Sequence, residues 1–252
     1  MYQADFQRSA ISAGDCISNA WTMVSQNYGL FFGISIVGLI LAGCIPCVSL
    51  FIAGPIVAGI YFVCLKQMRA EQIEFGMMFK GFEVFLPAMV VGIIIAIPEI
   101  IGQGVRITIN VADISMQGRG SDGRQAALAG GILLLAIGGG LVLFVLGIFL
   151  KISLFFALPL IMERGLGVGD AMKLSFSAGW ANFGGIIVLS ILEGLIALAG
   201  VLACFIGVLF VIPIIYAANA FAYRQVFPDM QSPNQYTPPS PAEYGSGFGQ
   251  GL

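Results

Sequence analysis

The fold is decided by one apolar stretch, residues 28–66, which reads YGLFFGISIVGLILAGCIPCVSLFIAGPIVAGIYFVCLK. Its one charged residue is the lysine at the last position. A transmembrane helix needs about 20 apolar residues, so the stretch is long enough for two spans. Gly43, Pro46 and Ser49 mark the turn between them. The stretch therefore predicts a helical hairpin that crosses a membrane twice.

The composition of the whole chain favours the same class of protein. Of 252 residues, 58% are hydrophobic and 10% are charged, and the mean hydropathy is +0.96. Soluble domains carry about 25% charged residues, so this chain lacks the polar side chains to cover a soluble globule. We predict an all-α polytopic membrane helix bundle of about six transmembrane helices. The predicted spans lie near 28–46, 48–66, 84–105, 128–162, 183–204 and 207–226.

Three segments between or after these spans need separate interpretation. The polar stretch 106–125 is rich in Gly, Ser, Asp and Arg, which is typical of a loop. Residues 126–162 have the length of one tilted helix or of a span with a re-entrant piece, and the favoured break is Gly138-Gly139-Gly140. Residues 228–252 are rich in Pro, Ser, Gln and Gly, which predicts a disordered cytoplasmic tail after a transmembrane domain of residues 1–227.

The distribution of basic residues predicts the orientation, because cytoplasmic loops carry an excess of Lys and Arg. Seven basic residues fall on one predicted side, three fall on the other, and Lys151 falls within a span. The seven are Arg8, Lys66, Arg69, Lys80, Arg164, Lys173 and Arg224, and the three are Arg106, Arg119 and Arg124. We therefore expect a multi-pass protein of the bacterial plasma (inner) membrane with both termini in the cytoplasm.

An amphipathic segment precedes each of three predicted hairpins, and its apolar residues recur at helical spacing. The three apolar stripes are Ala10, Ala13, Ile17, Ala20, Trp21, Val24 and Tyr28; Phe75, Met78, Phe79, Phe82 and Leu86; and Met172, Phe176, Trp180 and Phe183. Such helices lie in the membrane interface, where aromatic side chains act as anchors. The expected anchors are Trp21, Phe79, Phe176 and Trp180.

The first and third of these segments align with each other. Gly14-Asp15 matches Gly169-Asp170, and Asn27 matches Asn182, at a constant offset of 155 residues. The alignment favours an internal repeat whose unit is an interfacial helix followed by a transmembrane hairpin. Four spans separate the two copies, so the repeat is parallel rather than inverted.

Several kinds of chemistry are disfavoured by the residues that the chain contains. The chain has no His, which removes imidazole catalysis and most zinc sites, and its net charge of −2 gives no basic surface for nucleic acid. Cys44-Ile45-Pro46-Cys47 has the spacing of a redox pair or of half a metal site. Its place at the hairpin turn favours the alternative, that these are only turn residues. We predict no catalytic residue, no metal site and no cofactor.

Three charged residues stand out because they lie away from the cytoplasmic ends of the predicted spans, at positions where charges are costly. Glu193 lies eleven residues after Asn182 and Lys151 lies eleven before Met162, so each is about 16 Å deep. The two are expected to pair. The pair is either a binding site for a proton, an ion or a lipid headgroup, or a structural ion pair, which is the interpretation we favour. Glu99 lies nearer the outer interface, where it would snorkel, pair with a neighbouring arginine, or give Lys151 a second partner.

Two sequence patterns carry a resemblance to known proteins. The first is Gly54-Pro55-Ile56, Lys66, Phe75 and Phe79-Lys80-Gly81-Phe82, and the second is Ala157-Leu158-Pro159-Leu160-Ile161, Gly165-Leu166-Gly167 and Asp170-Ala171-Met172-Lys173-Leu174-Ser175. Over residues 10–227 the chain resembles uncharacterised bacterial six-span membrane proteins related to the membrane domain of glycerophosphodiester phosphodiesterases. The resemblance implies an inner-membrane protein and no catalytic residues, since the phosphodiesterase chemistry belongs to a soluble domain that is not in this sequence.

The expected function follows from short loops without chemistry and from helices suited to the membrane interface. We expect a non-enzymatic scaffold or accessory subunit in an envelope or lipid-related process. Its expected partners are membrane lipids and either another membrane protein or further copies of the chain. The alternative is a small transporter or channel that uses the Lys151–Glu193 pair. A lipid enzyme is less favoured, because no interfacial Asp or Arg cluster is visible in the sequence.

Overall fold

The structure, a computed structural model, describes residues 6–43, 46–116, 123–202 and 206–228. Within these ranges every regular element is a helix, as the sequence predicts. The α-helices are α1 (Ala13–Gln26), α2 (Tyr28–Gly43), α3 (Pro46–Met68), α4 (Phe85–Met116), α5 (Gly123–Ser153), α6 (Ala157–Arg164), α7 (Val168–Ala181), α8 (Phe183–Leu202) and α9 (Ile206–Val226). A 3-10 helix, Phe75–Val84, precedes α4.

Five helical segments of the described residues are long and apolar enough to cross a membrane. They are Leu50–Met68, Phe75–Asn110, Leu134–Arg164, Phe183–Leu202 and Gly207–Val226. The remaining predicted span coincides with α2, whose 16 residues extend about 24 Å, less than the roughly 30 Å of a hydrocarbon core. The membrane-compatible helical character is therefore confirmed, with five helices of the described residues long enough to span, and the sixth span stays a prediction.

The predicted loop at residues 106–125 is largely helical instead. Helix α4 continues to Met116 and α5 begins at Gly123, while residues 117–122 lie outside the described ranges. Residues 106–116 contain polar side chains but no Gly or Pro. Polar side chains alone do not end a helix, because they can form hydrogen bonds to the helix backbone. Thr108 shows this, since its hydroxyl donates a hydrogen bond to the carbonyl of Gly104 at 3.0 Å.

The expected break at Gly138-Gly139-Gly140 is wrong, because α5 passes through these residues without interruption. The chain bends at residues 154–156 instead, between α5 and α6. Pro159 explains this position: it has no N–H for the carbonyl of Phe155, and its ring crowds that carbonyl. Ser175 of α7 stabilises the bend, since its hydroxyl accepts from the Phe156 amide at 3.1 Å and donates to the Ser153 carbonyl at 2.9 Å.

Helix α3 is the central element and packs on α2, α4, α6, α9 and the 3-10 helix. Glycines allow its backbone to touch its neighbours. A Cβ on Gly59 would lie 1.7 Å from the carbonyl oxygen of Met78, and a Cβ on Gly81 would lie 1.9 Å from that of Pro55. A 3-10 helix repeats every three residues, so Met78 and Gly81 share its buried face. The three-residue repeat of this segment thus matches its close packing on α3.

The N-terminal segment is held across the end of α7. The backbone amide of Ala10 donates to the side-chain oxygen of Asn182 at 2.9 Å, and the Asn182 amide donates to the Gln7 carbonyl at 2.9 Å. Helix α1 then packs against α9 and α8. It buries Cys16 and other small or aliphatic residues and leaves Trp21 exposed. The predicted tail and the Cys44-to-Cys47 motif fall mainly on residues outside the described ranges or without described side chains.

Replacing Gly59 by alanine should destabilise the protein, because the new methyl group would meet the backbone of the 3-10 helix. Overpacking of this kind costs about 1–3 kcal/mol, and thermal unfolding in detergent would measure the loss. Gly139→Ala in α5 is the matched control, since nothing lies within 4 Å of a Cβ there. Equal unfolding temperatures for Gly59→Ala and the wild type would contradict the described crossing.

Candidate functional site

The structure brings Lys151 and Glu193 together across the gap between α5 and α8. The Lys151 ammonium lies 3.9 Å from Oε2 of Glu193. Glu193 is only 6% exposed, whereas 52% of the Lys151 side chain is exposed. Glu193 is thus buried inside the bundle, whereas Lys151 lies on its surface. The predicted membrane depth of Lys151 stays a prediction, since it lies within the candidate span Leu134–Arg164.

Glu193 has a polar neighbour on α9 that the sequence analysis did not single out. The Asn219 side chain lies beside the Glu193 carboxylate. Oε1 of Glu193 and Oδ1 of Asn219 are both buried, and neither has a hydrogen-bond partner among the described residues. The sequence signal that could have identified Asn219 is an amide in the middle of α9, away from its polar last turn. A buried charged group without full hydrogen bonding is costly, so this site needs a chemical explanation.

An aromatic cluster joins the last turns of α5 to α7 and to the start of α8. Phe149 lies 5.7 Å from the Trp180 ring, and Trp180 in turn stacks on Phe183 at 5.5 Å. The Trp180 indole donates to the hydroxyl of Ser153 at 3.2 Å. The expected anchors Phe176 and Trp180 both belong to this cluster and are exposed. The cluster therefore links α5 to α7 within two residues of Lys151 in the sequence.

The other expected site residues lie elsewhere. Glu99 is exposed on α4, where its carboxylate accepts a hydrogen bond from Gln103 at 3.2 Å, one helical turn away. Phe79 is exposed on the 3-10 helix, within a ladder of phenyl rings, and Trp21 is exposed on α1. The structure therefore brings two of the three intramembrane charges together and keeps Glu99 apart.

A second charged cluster, centred on Glu163, was not predicted. Oε1 of Glu163 binds the guanidinium groups of Arg69 and Arg224, and Oε2 accepts a hydrogen bond from the Tyr223 hydroxyl at 2.5 Å. The Glu163 and Arg224 side chains are 12% and 14% exposed. The cluster joins α6 to α9 and to the end of α3. Sequence reasoning counted the arginines only as cytoplasmic charges, because the carboxylate that joins them is far away in the chain.

The Cys16 thiol of α1 is buried near the Glu193 site. Burial, with smaller effects from Asp15 and Glu193, raises the pKa of Cys16 to about 12. The thiol is therefore protonated at neutral pH and a poor nucleophile. Among the described residues, no group of three or more Cys, Asp or Glu side chains is arranged to hold a metal ion.

Comparisons of the chain with protein-family models, with curated proteins and with solved structures gave no match. The resemblance to membrane domains of glycerophosphodiester phosphodiesterases therefore stays a prediction. Function has to be argued from the geometry of this chain. Three features are available: the exposed α4–α5 hairpin, the charged Glu163 cluster, and the buried Glu193 carboxylate with its neighbours.

Replacing Glu163 by glutamine should destabilise the bundle, because two guanidinium groups would lose their shared carboxylate. Breaking a buried ion pair costs about 3–5 kcal/mol, and we expect the lower end because Arg69 is partly exposed. Glu71→Gln is the control, since Glu71 forms a more exposed pair with Lys66, worth below about 1 kcal/mol. Thermal unfolding in detergent compares the two, and equal losses would show that the Glu163 cluster is no stronger than a surface pair.

Proposed function

We propose that the protein is a non-enzymatic membrane scaffold or accessory subunit, which binds another integral membrane protein through the α4–α5 hairpin. The main observation in support of this proposal is that the hairpin is long and that its surface is exposed. Helices α4 and α5 contain 32 and 31 residues, or about 48 and 46 Å. Helix α5 packs mainly on α4 and α7, so much of its apolar surface has no cover from the rest of the described chain.

The surface of α5 suits a partner helix in two ways. Its aliphatic and aromatic side chains are exposed by more than half over several turns, at Leu134, Leu135, Ile137, Leu141, Val142, Phe144 and Val145. Between them lie three consecutive glycines, and nothing in the described chain lies within 4 Å of a Cβ at any of them. Small residues let transmembrane helices approach closely, and close packing drives their association in lipid. The occupant that fits is therefore a transmembrane helix, with phospholipid around it.

The location and repeat belong to the same proposal. We place the protein in the bacterial inner membrane with both termini cytoplasmic and with an internal helix-plus-hairpin repeat. The support for the repeat is that α1 and α7 each contain 14 residues, each ends at an asparagine cap (Asn27 and Asn182), and each is followed at once by an apolar helix. The support for the orientation is that Arg69 and Arg224 bind Glu163 at one end of the bundle, where Arg164 follows Glu163 in the chain and lies over the Phe227 ring.

Purification in a mild detergent from the native membrane should yield a stoichiometric membrane-protein partner, identified by mass spectrometry. Gly139→Leu should remove this partner without unfolding the protein, because the leucine enters space that is empty in the described chain. Gly194→Leu in α8 is the matched control, since that position is equally open. It should retain the partner.

Four results would contradict the proposal. One is a monomeric protein without a partner, and another is equal loss of the partner in both leucine variants. The third is a partner-free protein with one enriched solute, which would favour the alternative of a small transporter that uses Lys151 and Glu193. Recovery of a second copy of this chain alone would make the hairpin a self-association surface, and the role of accessory subunit would be wrong.

The proposed orientation can be tested with single cysteines in a chain whose native cysteines are replaced by alanine. A membrane-impermeant maleimide added to intact bacterial cells should label Ser121→Cys, in the polar segment between α4 and α5, and should leave Gln72→Cys unlabelled. Both positions should react after the cells are lysed, which controls for accessibility. The reverse pattern in intact cells would show that the termini face outward.

A further inference from the structure

We propose that Glu193 is a proton-binding site, whose carboxyl group holds a proton inside the bundle when its ion pair with Lys151 is released. The proton adds to Oε1, so the carboxylate becomes a neutral carboxylic acid and no other bond changes. The proposal does not require transport or a protein partner, so it stands apart from the proposed scaffold function.

The first argument comes from the hydrogen-bonding groups at the site. Both buried atoms without a partner, Glu193 Oε1 and Asn219 Oδ1, are acceptors. The site therefore has too few donors, rather than too few acceptors. A protonated carboxyl group carries an O–H donor, which an ionised carboxylate lacks. A single proton supplies the missing donor and removes the buried charge at the same time.

The second argument is that Lys151 is a weak partner for a buried carboxylate. Its ammonium lies 3.9 Å from Oε2, beyond hydrogen-bonding distance, and the side chain is half exposed. An ion pair in a low-dielectric site offsets the desolvation of its charges only when its geometry is good and hydrogen bonds complete it. The contact with Lys151 is long, and although the Asn219 side chain hydrogen-bonds to the carboxylate, Oε1 of Glu193 has no partner among the described residues. The ionised form of Glu193 is therefore incompletely stabilised, which favours the binding of a proton.

The third argument is that the other titratable neighbours do not compete for this role. Within the described chain, Glu193 is in electrostatic range of Cys16 on α1, Tyr61 on α3 and Lys151 on α5, while α9 contributes the neutral amide of Asn219. The thiol and the phenol are buried and stay uncharged at neutral pH. Lys151 is thus the one charged group, in the described neighbourhood, whose interaction changes when Glu193 gains a proton.

A proton fits this site better than a metal cation does. A metal ion with oxygen ligands needs several oxygens around it, whereas the site offers two unpartnered ones. The Lys151 ammonium, close to the same carboxylate, would repel a permanently charged ion, but it does not prevent a covalent O–H bond. Protonation would leave Lys151 without its anion on the exposed surface of α5. The contact between α5 and α8 would then lose its ion pair.

Infrared difference spectra of the full chain in lipid nanodiscs, recorded as a function of pH, test the proposal. The wild type should show the carbonyl band of a buried protonated carboxyl group, and Glu193→Gln should lack it. Glu99→Gln is the matched control, because Glu99 is also on an apolar helix but is exposed; it should keep the band. Lys151→Met should make the band persist to higher pH, with proton affinity increased about tenfold or more, because an opposite charge no longer favours the ionised form.

Several outcomes would overturn the proposal. Identical spectra for the wild type and Glu193→Gln would mean that the carboxylate stays ionised, with water bridging the two acceptors. Failure of Glu193→Gln to fold would count against a neutral side chain at this site, because glutamine resembles the protonated acid in shape and charge. A thermal stability that rises with sodium but not with choline in the wild type, and not in Glu193→Gln, would identify a metal cation instead.

Discussion

Helix α3 contacts its neighbours backbone to backbone, and the remaining packing depends on this contact. Gly59 and Gly81 bring α3 against the 3-10 helix, and Gly54 brings it against Ala88 of α4, where an added Cβ would lie 2.1 Å from a carbonyl oxygen. In a membrane, lipid chains are as apolar as the side chains, so helices gain little from the hydrophobic effect when they associate. Close van der Waals contact has to supply much of the stabilisation. The glycines permit that contact, and the three-residue repeat of the 3-10 helix matches it.

Polar contacts supplement this packing at one end of the bundle. Glu163 binds arginines that follow α3 and end α9, and Asn182 holds the N-terminal segment against the junction of α7 and α8. Both residues join segments that are distant in the chain. Hydrogen bonds to charged groups are worth more than neutral ones, about 1.5–3 kcal/mol each. These contacts therefore fix which helices are neighbours, while the glycines fix how closely they approach.

The two proposals concern a surface and a carboxylate that take no part in the glycine contacts or in the Glu163 and Asn182 contacts. In the α4–α5 hairpin, α4 packs on α3 and α5 packs on α7. The remaining apolar face of α5 is exposed in the described chain. Glu193 lies where α8 meets α9 and α1, with an ion pair that reaches across to α5. Lys151, one partner of that ion pair, lies near the end of α5, so both proposals involve the same helix.

The sequence by itself determined the helical class, the approximate position of each long helix and the pairing of Lys151 with Glu193 as a possibility. Composition and run length suffice for this, because burial of a backbone in lipid demands helices and about 20 apolar residues per span. Only the tertiary structure decided the bend before Pro159, the continuation of α4 to Met116 and the 3-10 form of residues 75–84. It also decided the Glu163 cluster and the unpartnered oxygens of Glu193 and Asn219. These features depend on which distant residues meet, and periodicity along one chain carries no information about that.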